Sequence, residues 1–315
     1  MYNISKAFLE KTAMETGFLR DNLEKVFRLC YILQYLHSDA LMSDCLLLKG
    51  GTAINLTVFD LPRLSVDIDL DFAQDCDRNE MLRMRAQINA KLLNYMFAQA
   101  YALSPNTKNP HSLDSWVFYF QNAAGNRDNI KVEINYSMRS HVLPAEKKRF
   151  RVAFLQMDCE IRSLAPLELF GSKIKALIER CASRDLFDVH HMLHSGLIAP
   201  DQHELLRKIV IFYLVIGAKK KIEFPMNLDM IQALTFSQIR RSLIPVLRKR
   251  EGFDLEAAKR EVSHYLASLM LPTEAEKQFV EKFYQGMYQP DLLFDEACII
   301  ERIKEHPMAI WRTAL

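Results

Sequence analysis

The sequence predicts an α+β protein in which residues 1–160 form a small mixed β-sheet with its helices and residues 161–315 form a helical region. Three observations support this prediction. Short apolar runs with alternating polar positions, which are typical of strands, occur before residue 165. From Pro166 onward, apolar residues recur at helical spacing. Half of the 315 residues are hydrophobic, which is enough for one large domain or two smaller ones.

Residues 4–38 are predicted to form two helices. In the second, residues 21–37, apolar side chains recur every three or four positions, which indicates a helix that packs on a core. These side chains are Leu23, Val26, Phe27, Cys30, Leu33 and Leu36.

The stretch from residue 46 to residue 72 combines two predicted strands with a glycine turn. An apolar run, Leu46–Leu48, suits a buried strand. Lys49, Gly50, Gly51 and Thr52 follow, ahead of a short predicted helix. Glycines between a strand and a helix let the backbone approach a ligand closely, and a helix N-terminus offers N–H groups to a phosphate.

Acids alternate with apolar residues in the second strand, residues 66–72. Because side chains alternate between the two faces of a strand, three carboxylates would share one face. These are Asp67, Asp69 and Asp71. Like charges so close repel one another, and a bound divalent cation would relieve the repulsion. The alternative is an acidic edge strand that faces solvent.

Four further elements are predicted before residue 165. They are a long helix over residues 79–101 and strands over residues 115–121, 129–136 and 156–162. On the strand over residues 129–136, Glu133 lies on the polar face with Lys131 and Asn135.

A phosphate-binding turn beside paired carboxylates suits transfer of a nucleotide. Asp67 and Asp69 would hold Mg²⁺, which neutralises charge on the triphosphate, and Glu133 is the best candidate for a third carboxylate. The alternative for Glu133 is a surface acid paired with Lys131.

A second set of charged residues lies in the helical region. Cations there would hold a triphosphate, and Asp185 would act as a catalytic or positioning acid. Spacing alone favours a structural alternative, in which acids in a first helical turn simply pair with nearby arginines. The set is Lys173, Arg180, Arg184, Asp185 and Asp188.

Two other patterns in the sequence are candidate binding sites. His190 and His194 are four apart on a predicted helix, but no HExxH glutamate lies between them and no further ligand is evident, which argues against a metal site. Between residues 205 and 260 there are twelve Lys or Arg and five Asp or Glu, with clusters at 219–221, 240–241 and 248–250. Such an excess is typical of a solvated surface or of an RNA- or DNA-binding surface.

Composition narrows the class of protein further. The six cysteines are scattered without a CxxC pair, which indicates reduced thiols in a cytoplasmic protein. The N-terminus has no signal-peptide pattern, and no apolar run is long enough to span a bilayer, so no membrane partner is expected. The net charge of +2 neither requires nor excludes a nucleic-acid partner.

Two motifs, in this order, resemble the signatures of the AbiEii/AbiGii-type toxin family. These are nucleotidyltransferase-like proteins of the DNA-polymerase-β superfamily, related to the MenT toxins. The resemblance covers about residues 20–200. The first motif is Leu48-Lys49-Gly50-Gly51-Thr52-Ala53 followed by Arg63-x-Ser65-x-Asp67-Ile68-Asp69-Leu70. The second is Glu168-Leu169-Phe170-Gly171-Ser172-Lys173 with Ala176-Leu177, Arg180 and Arg184-Asp185-Leu186-Phe187-Asp188.

The resemblance implies roles for individual residues. It makes Asp67 and Asp69 the metal-binding pair, and it matches Glu133 to the superfamily's third carboxylate by strand position only. It assigns Lys173 and Asp185 to nucleotide binding and catalysis instead of a structural role, and it places them in the same cleft as the metal pair. The nucleotide-binding set that it implies is Gly50, Gly51, Thr52, Ser65, Lys173 and Arg180.

The function expected from this resemblance is that of a Mg²⁺-dependent toxin of a type IV-like toxin–antitoxin (abortive infection) system. It would transfer a nucleotide from an NTP to RNA, at the 3′ acceptor end of tRNA, and a separate antitoxin would be its partner. Two alternatives remain. One is an enzyme of the same fold that modifies a protein or small-molecule hydroxyl, and the other is a non-catalytic module that binds NTP or nucleic acid.

Overall fold

The computed structural model describes residues 4–150, 152, 154, 157–217 and 220–314. The chain forms two compact units. We call the first the sheet unit, which comprises Met1–Arg139, Ala145–Leu164 and Pro245–Glu251. The second, the helical unit, comprises Ser140–Pro144, Ala165–Ile244 and Gly252–Leu315.

The sheet unit is built on one mixed sheet of seven strands in the order β3-β4-β5-β2-β1-β7-β6. The β1/β7 and β2/β5 pairs are parallel, and the other neighbours are antiparallel. The mixed sheet predicted from the sequence is therefore confirmed. The strands are β1 (Leu46–Lys49), β2 (Asp67–Phe72), β3 (Ala102–Leu103), β4 (Leu113–Gln121), β5 (Arg127–Asn135), β6 (Glu146–Arg149) and β7 (Glu160–Ser163).

Five α-helices accompany the sheet in the described part of this unit. Ser5 caps the first by accepting the Phe8 N–H, and Gly17, in the left-handed conformation, ends it. The helices are α1 (Lys6–Thr16), α2 (Arg20–Ser38), α3 (Ala40–Cys45), α4 (Gly50–Ala53) and α5 (Arg78–Ala98). A π-helix, Ile54–Val58, continues α4 directly.

The predicted elements of this unit agree with the structure, with differences at their ends. The helix predicted to residue 101 ends at Ala98, because Ala100 adopts a positive φ of 61°. The strand predicted over residues 156–162 is observed as β7, and its predicted first residue, Gln156, lies outside the described residues. β6 was missed because its sequence, EKKR, contains no apolar residue; it is an edge strand paired only with β7.

Residues 245–251 return to the sheet unit through backbone hydrogen bonds. The Leu64 N–H donates to the Val246 carbonyl, and the Lys249 N–H donates to the Gly17 carbonyl. Arg248 adds a third connection, because its guanidinium donates to the Thr16 carbonyl and lies over the Phe18 ring.

Every regular element described in the helical unit is helical, which confirms the predicted helical C-terminal region. The α-helices are α6 (Pro166–Arg180), α7 (Ser183–Ser195), α8 (His203–Gly217), α9 (Asp229–Gln232), α10 (Phe236–Ser242), α11 (Leu255–Leu269), α12 (Glu274–Tyr284), α13 (Ala297–Ile303) and α14 (Pro307–Thr313).

The core of the helical unit centres on α8, which packs against α6. Residues 208–216 of α8 are all buried. The two helices approach closely at Gly171, where an added Cβ would lie 2.4 Å from Cγ2 of Ile209. In the described part of the chain, no helix combines the length and the apolar composition that a bilayer crossing requires.

Candidate active site

Gly50 opens the turn that follows β1, and its geometry admits only glycine. Its φ of +68° lies in the left-handed region, which side chains other than glycine rarely adopt. An added Cβ would also lie 2.4 Å from Oδ2 of Asp69. The backbone of the turn therefore rests directly against the Asp69 carboxylate, and the predicted close approach to a ligand stays a prediction.

Gly51 is confined by a buried arginine. An added Cβ would lie 2.7 Å from Nη2 of Arg63 and 3.1 Å from Oγ of Ser65. Arg63 is only 2% exposed, and its Nη1 donates to the Leu64 carbonyl at 3.0 Å. Arg63 is thus part of the structure that supports the turn.

Asn55, on the π-helix, connects the two sides of this turn. Its fully buried Nδ2 donates to the Gly51 carbonyl at 2.7 Å, and its Oδ1 accepts from the Arg63 N–H at 3.4 Å. Sequence reasoning gave Asn55 no role and did not select Arg63 as a site residue. Two signals were available in the sequence. Asn55 is a polar residue within an apolar run, and Arg63 is a charged residue with leucines close on both sides.

Thr52 joins the turn to the acidic strand. It is fully buried, its Oγ1 donates to the Asp67 carbonyl oxygen, and the same atom lies 2.9 Å from Oγ of Ser65. These contacts fix the position of Ser65 and of the first residue of β2 relative to the glycine turn.

The strand register brings the predicted carboxylates together. Asp69 of β2 is directly opposite Glu133 of β5 and, on the other side, Lys49 of β1. Asp67 is opposite Lys131. Residues directly opposite on adjacent strands point to the same face, and adjacent strands lie about 4.8 Å apart. Asp67, Asp69 and Glu133 therefore share one face of two neighbouring strands.

The alternative of a solvent-facing acidic edge strand is wrong. β2 lies in the middle of the sheet, between β5 and β1. Its third acid, Asp71, is only 2% exposed, and Nζ of Lys49 lies 2.5 Å from its Oδ1. Asp67 and Asp69 are half-buried. The strand thus carries one acid neutralised by a lysine and two acids nearer the surface.

Glu133 has the lysine partner that the surface interpretation predicted. Nζ of Lys131 lies 2.7 Å from Oε2 of Glu133, and the two side chains are 37% and 25% exposed. The pairing is compatible with a role beside Asp69, because it involves Oε2 of Glu133 and because ion pairs with an exposed lysine contribute little stability.

The donor set on this face fits a magnesium ion. Mg²⁺ prefers carboxylate oxygens and keeps part of its coordination for substrate phosphates and water. The turn at Gly50 supplies the close backbone approach next to Asp69 that a triphosphate needs. The residues that would hold the ion are Asp67 and Asp69, with Glu133 opposite Asp69.

In the helical unit, Lys173, Asp185 and Asp188 form a buried ion-pair cluster. Nζ of Lys173 lies 2.8 Å from Oδ1 of Asp185 and 3.1 Å from Oδ2 of Asp188. The lysine side chain is 7% exposed and each aspartate side chain 1%. The three groups come from α6 and α7, so the cluster connects these two helices.

Arg180 completes this cluster from its exposed side. Its Nε donates to Oδ2 of Asp185 at 2.8 Å and its Nη2 to Oδ1 at 3.1 Å, while the arginine side chain is 65% exposed. Burial alone would raise the pKa of Asp185, but the charges of Lys173 and Arg180 outweigh it and hold this pKa below its ordinary value. Arg184, predicted in the same set, donates from Nε to the Ser242 carbonyl at 2.8 Å.

The described basic residues among those counted between 205 and 260 are divided between the two units, and several of them pair with acids. Arg207 pairs with the buried Glu276, whereas Lys208 and Lys259, themselves buried, pair with the exposed acids Asp295 and Glu256. Arg240 and Arg241 are exposed on the helical unit, whereas Lys249 and Arg250 are exposed on the sheet unit. Lys219 lies outside the described residues.

A mixed sheet that places a glycine turn against paired carboxylates is the arrangement expected of a nucleotidyltransferase. Comparison with known families specifies the class further. The family described as nucleotidyl transferase AbiEii toxin, of type IV toxin–antitoxin systems, matches residues 31–283. The chain therefore belongs to the AbiEii family and is a nucleotidyltransferase, which confirms the resemblance noted in its motifs.

Solved structures show the same fold. MenT4, a nucleotidyltransferase toxin from Mycobacterium tuberculosis H37Rv, superposes with a TM-score of 0.66 at 15% sequence identity. The superposition covers 88% of this chain and 94% of that one. A sequence search among curated proteins finds no match.

Proposed function

We propose that this chain is a Mg²⁺-dependent toxin that transfers a nucleotide from an NTP to RNA in the cytoplasm, at the 3′ acceptor end of tRNA. The observation that carries the proposal is the placement of Asp67, Asp69 and Glu133 on one face of β2 and β5, with the Gly50 backbone resting on Asp69. Membership of the AbiEii family supports it and implies a cognate antitoxin as partner.

Asp67 and Asp69 hold the metal in this proposal. Mg²⁺, when bound, neutralises the charge that develops on the phosphate oxygens. Gly50 and Gly51 present backbone to the triphosphate. Gly50 has no side chain between the turn and the Asp69 carboxylate, and Gly51 has none between the turn and Arg63 and Ser65. Thr52 and Ser65 contribute to nucleotide binding by holding this turn against β2.

The reaction is an in-line substitution at the α-phosphorus of the NTP. The 3′-hydroxyl oxygen of the acceptor forms the new O–P bond. The bond from the α-phosphorus to the oxygen that bridges it to the β-phosphate breaks, and pyrophosphate leaves with that electron pair. Glu133, on the same face as Asp69, accepts the hydroxyl proton as general base.

The cluster of the helical unit has a separate place in the proposal. Arg180 has the exposed guanidinium that binding of a phosphate requires. Lys173 would have to give up Asp185 or Asp188 to bind a phosphate itself, so its stronger role is to keep Asp185 ionised and in place. Asp185 is then a positioning acid for Arg180.

The test is a transfer assay with purified full-length protein, total tRNA, MgCl₂ and each α-labelled NTP in turn. Asp69→Asn is the control variant, because it removes the charge and keeps the shape of the side chain. We expect label on RNA with one nucleotide, loss of label in Asp69→Asn, and similar melting temperatures for the two proteins. Full activity of Asp69→Asn would contradict the metal role.

The remaining outcomes separate the alternative functions. Label on protein or on a small molecule, with no label on RNA, would show that the acceptor is not RNA, while the assignment of the site would stand. NTP binding without any transfer product would show that the chain is a binding module and not an enzyme. Either result would overturn the RNA acceptor proposed above.

A further inference from the structure

Two histidines of α7 and a glutamate of α11 converge in the helical unit. His190 and His194 lie one turn apart on α7, so both project from the same side of that helix. Glu261, on α11, reaches both of them. No third ligand for this histidine pair was evident from the sequence, because Glu261 follows His194 by 67 residues and only the packing of α11 on α7 brings it close.

The three ligand atoms have the separations of a metal coordination site. Oε2 of Glu261 lies 2.7 Å from Nε2 of His194 and 3.1 Å from Nε2 of His190. The two Nε2 atoms are 3.2 Å apart. In a tetrahedral zinc site with bonds of about 2.0–2.1 Å, neighbouring ligand atoms lie about 3.3 Å apart. One cation just above the plane of the three atoms would therefore contact all of them.

The same three atoms can be joined by hydrogen bonds or by a cation. As hydrogen bonds, Oε2 of Glu261 accepts from Nε2 of both imidazoles. A divalent cation would instead accept one lone pair from each of the three atoms, and the short triangle that they form suits either arrangement. The experiment below distinguishes the two.

Access and surroundings also suit a bound ion. The His190 side chain is 22% exposed and packs edge-on against the Phe253 ring, which fixes one wall. His194 and Glu261 are 60% and 46% exposed, so a cation can enter from solvent and keep a water as its fourth ligand. Free thiols do not take part, since no cysteine belongs to this group.

We propose that His190, His194 and Glu261 form a binding site for a zinc-class divalent cation that joins α7 to α11. Imidazole nitrogens favour Zn²⁺ over Mg²⁺, whereas the carboxylates of β2 and β5 favour Mg²⁺. The chain thus binds two kinds of divalent cation at two sites. Since α7 also carries Asp185 and Asp188, the zinc-class ion stabilises the helix that holds the Lys173 cluster.

The experiment uses the tag-free full-length protein, stripped of metal with EDTA and kept reduced. ZnCl₂ is titrated calorimetrically in a millimolar excess of MgCl₂, and the melting temperature is measured with and without Zn²⁺. The variants His194→Ala and Glu261→Gln remove exposed ligands and leave the core intact. His264→Ala removes an exposed histidine on the same helix α11, and Cys298→Ser removes the exposed thiol.

We expect one Zn²⁺ per wild-type chain, binding at least about tenfold tighter than in His194→Ala or Glu261→Gln. Zn²⁺ should raise the melting temperature of the wild type, of His264→Ala and of Cys298→Ser, and should not raise that of His194→Ala. Equal zinc affinity in the wild type and His194→Ala would overturn the proposal. So would loss of binding in His264→Ala or Cys298→Ser, which would place the ion elsewhere.

Discussion

The acids of the sheet unit and the acids of the helical unit differ in what surrounds their carboxylates. Asp67 and Asp69 are half-buried on a strand, beside a backbone turn from which side chains are excluded. Asp185 and Asp188 are almost fully buried against a lysine. In the proposed function the first pair faces substrate, whereas the second pair connects two helices and Asp185 also holds Arg180. Substitutions in the first pair should therefore lower mainly activity, and substitutions in the second should lower mainly stability.

Asp69→Asn tests the sheet side of this comparison most directly. We expect transfer activity to fall about 10³-fold or more, because metal-assisted charge stabilisation contributes several kcal/mol to the transition state. The melting temperature should change little, since Asp69 is half-buried. Initial rates with labelled NTP measure the transfer activity, and thermal melting measures the melting temperature. A large drop in melting temperature would mean that the carboxylate is structural and that the two clusters do not differ.

Lys173→Met tests the helical side. It leaves Asp185 and Asp188 buried without their lysine, which should cost about 3–5 kcal/mol of unfolding free energy. Lys175→Met is the matched control on the same helix, because Lys175 pairs with Glu179 one turn away and the two side chains are 23% and 28% exposed. Loss of this pair should cost about 0.5 kcal/mol. Urea denaturation compares the two, and equal stabilities would show that the buried pair contributes nothing.

Gly50→Ala separates backbone strain from contact with the carboxylate. Gly125 also has a positive φ, of 85°, but the nearest atom to an added Cβ is 3.9 Å away. Each alanine variant should lose about 1–2 kcal/mol of stability from the left-handed conformation. Only Gly50→Ala should also lose transfer activity, because its Cβ displaces Asp69. Retained activity in Gly50→Ala would remove the glycine turn from the site.

The unfolding free energy should depend on pH through Asp185 of the Lys173 cluster. The pKa of Asp185 in the folded chain lies below its ordinary value of 3.8. The unfolded chain therefore takes up the proton first, and the stability that Asp185 contributes is present above about pH 4 and is lost as pH falls through the folded pKa.

Asp185→Asn removes this dependence. The variant should be less stable than the wild type at neutral pH, and the difference should shrink as the pH falls below about 4. Denaturant midpoints at several pH values measure it. A difference that stays constant with pH would show that the pKa of Asp185 is the same in the folded and unfolded chain.

Much of the fold, and the candidate site residues of the glycine turn and of β2, could be predicted from local sequence patterns. Strand alternation predicted that Asp67 and Asp69 share a face, and the two glycines predicted a close backbone approach, because both depend on neighbouring residues only. Glu133 could be matched by strand position, but its register opposite Asp69 depends on which strands pair.

The features that escaped prediction depend on contacts between distant segments. Arg63 is buried because the turn at Gly51 folds over it, and Glu261 reaches His194 because α11 packs on α7. Residues 245–251 join the sheet unit through backbone hydrogen bonds that have no side-chain signature. Periodicity reports the conformation of a segment and does not report its partners.

The close approach of α6 and α8 at Gly171 restricts which pairs of residues this chain can tolerate at two positions. Any side chain at residue 171 would enter the space that Cγ2 of Ile209 occupies, so positions 171 and 209 cannot vary independently. An alanine at 171 would require the Ile209 side chain to shift or a smaller residue at 209. The choice of residues at these two positions is therefore constrained, even though neither residue lies among the acids of either cluster.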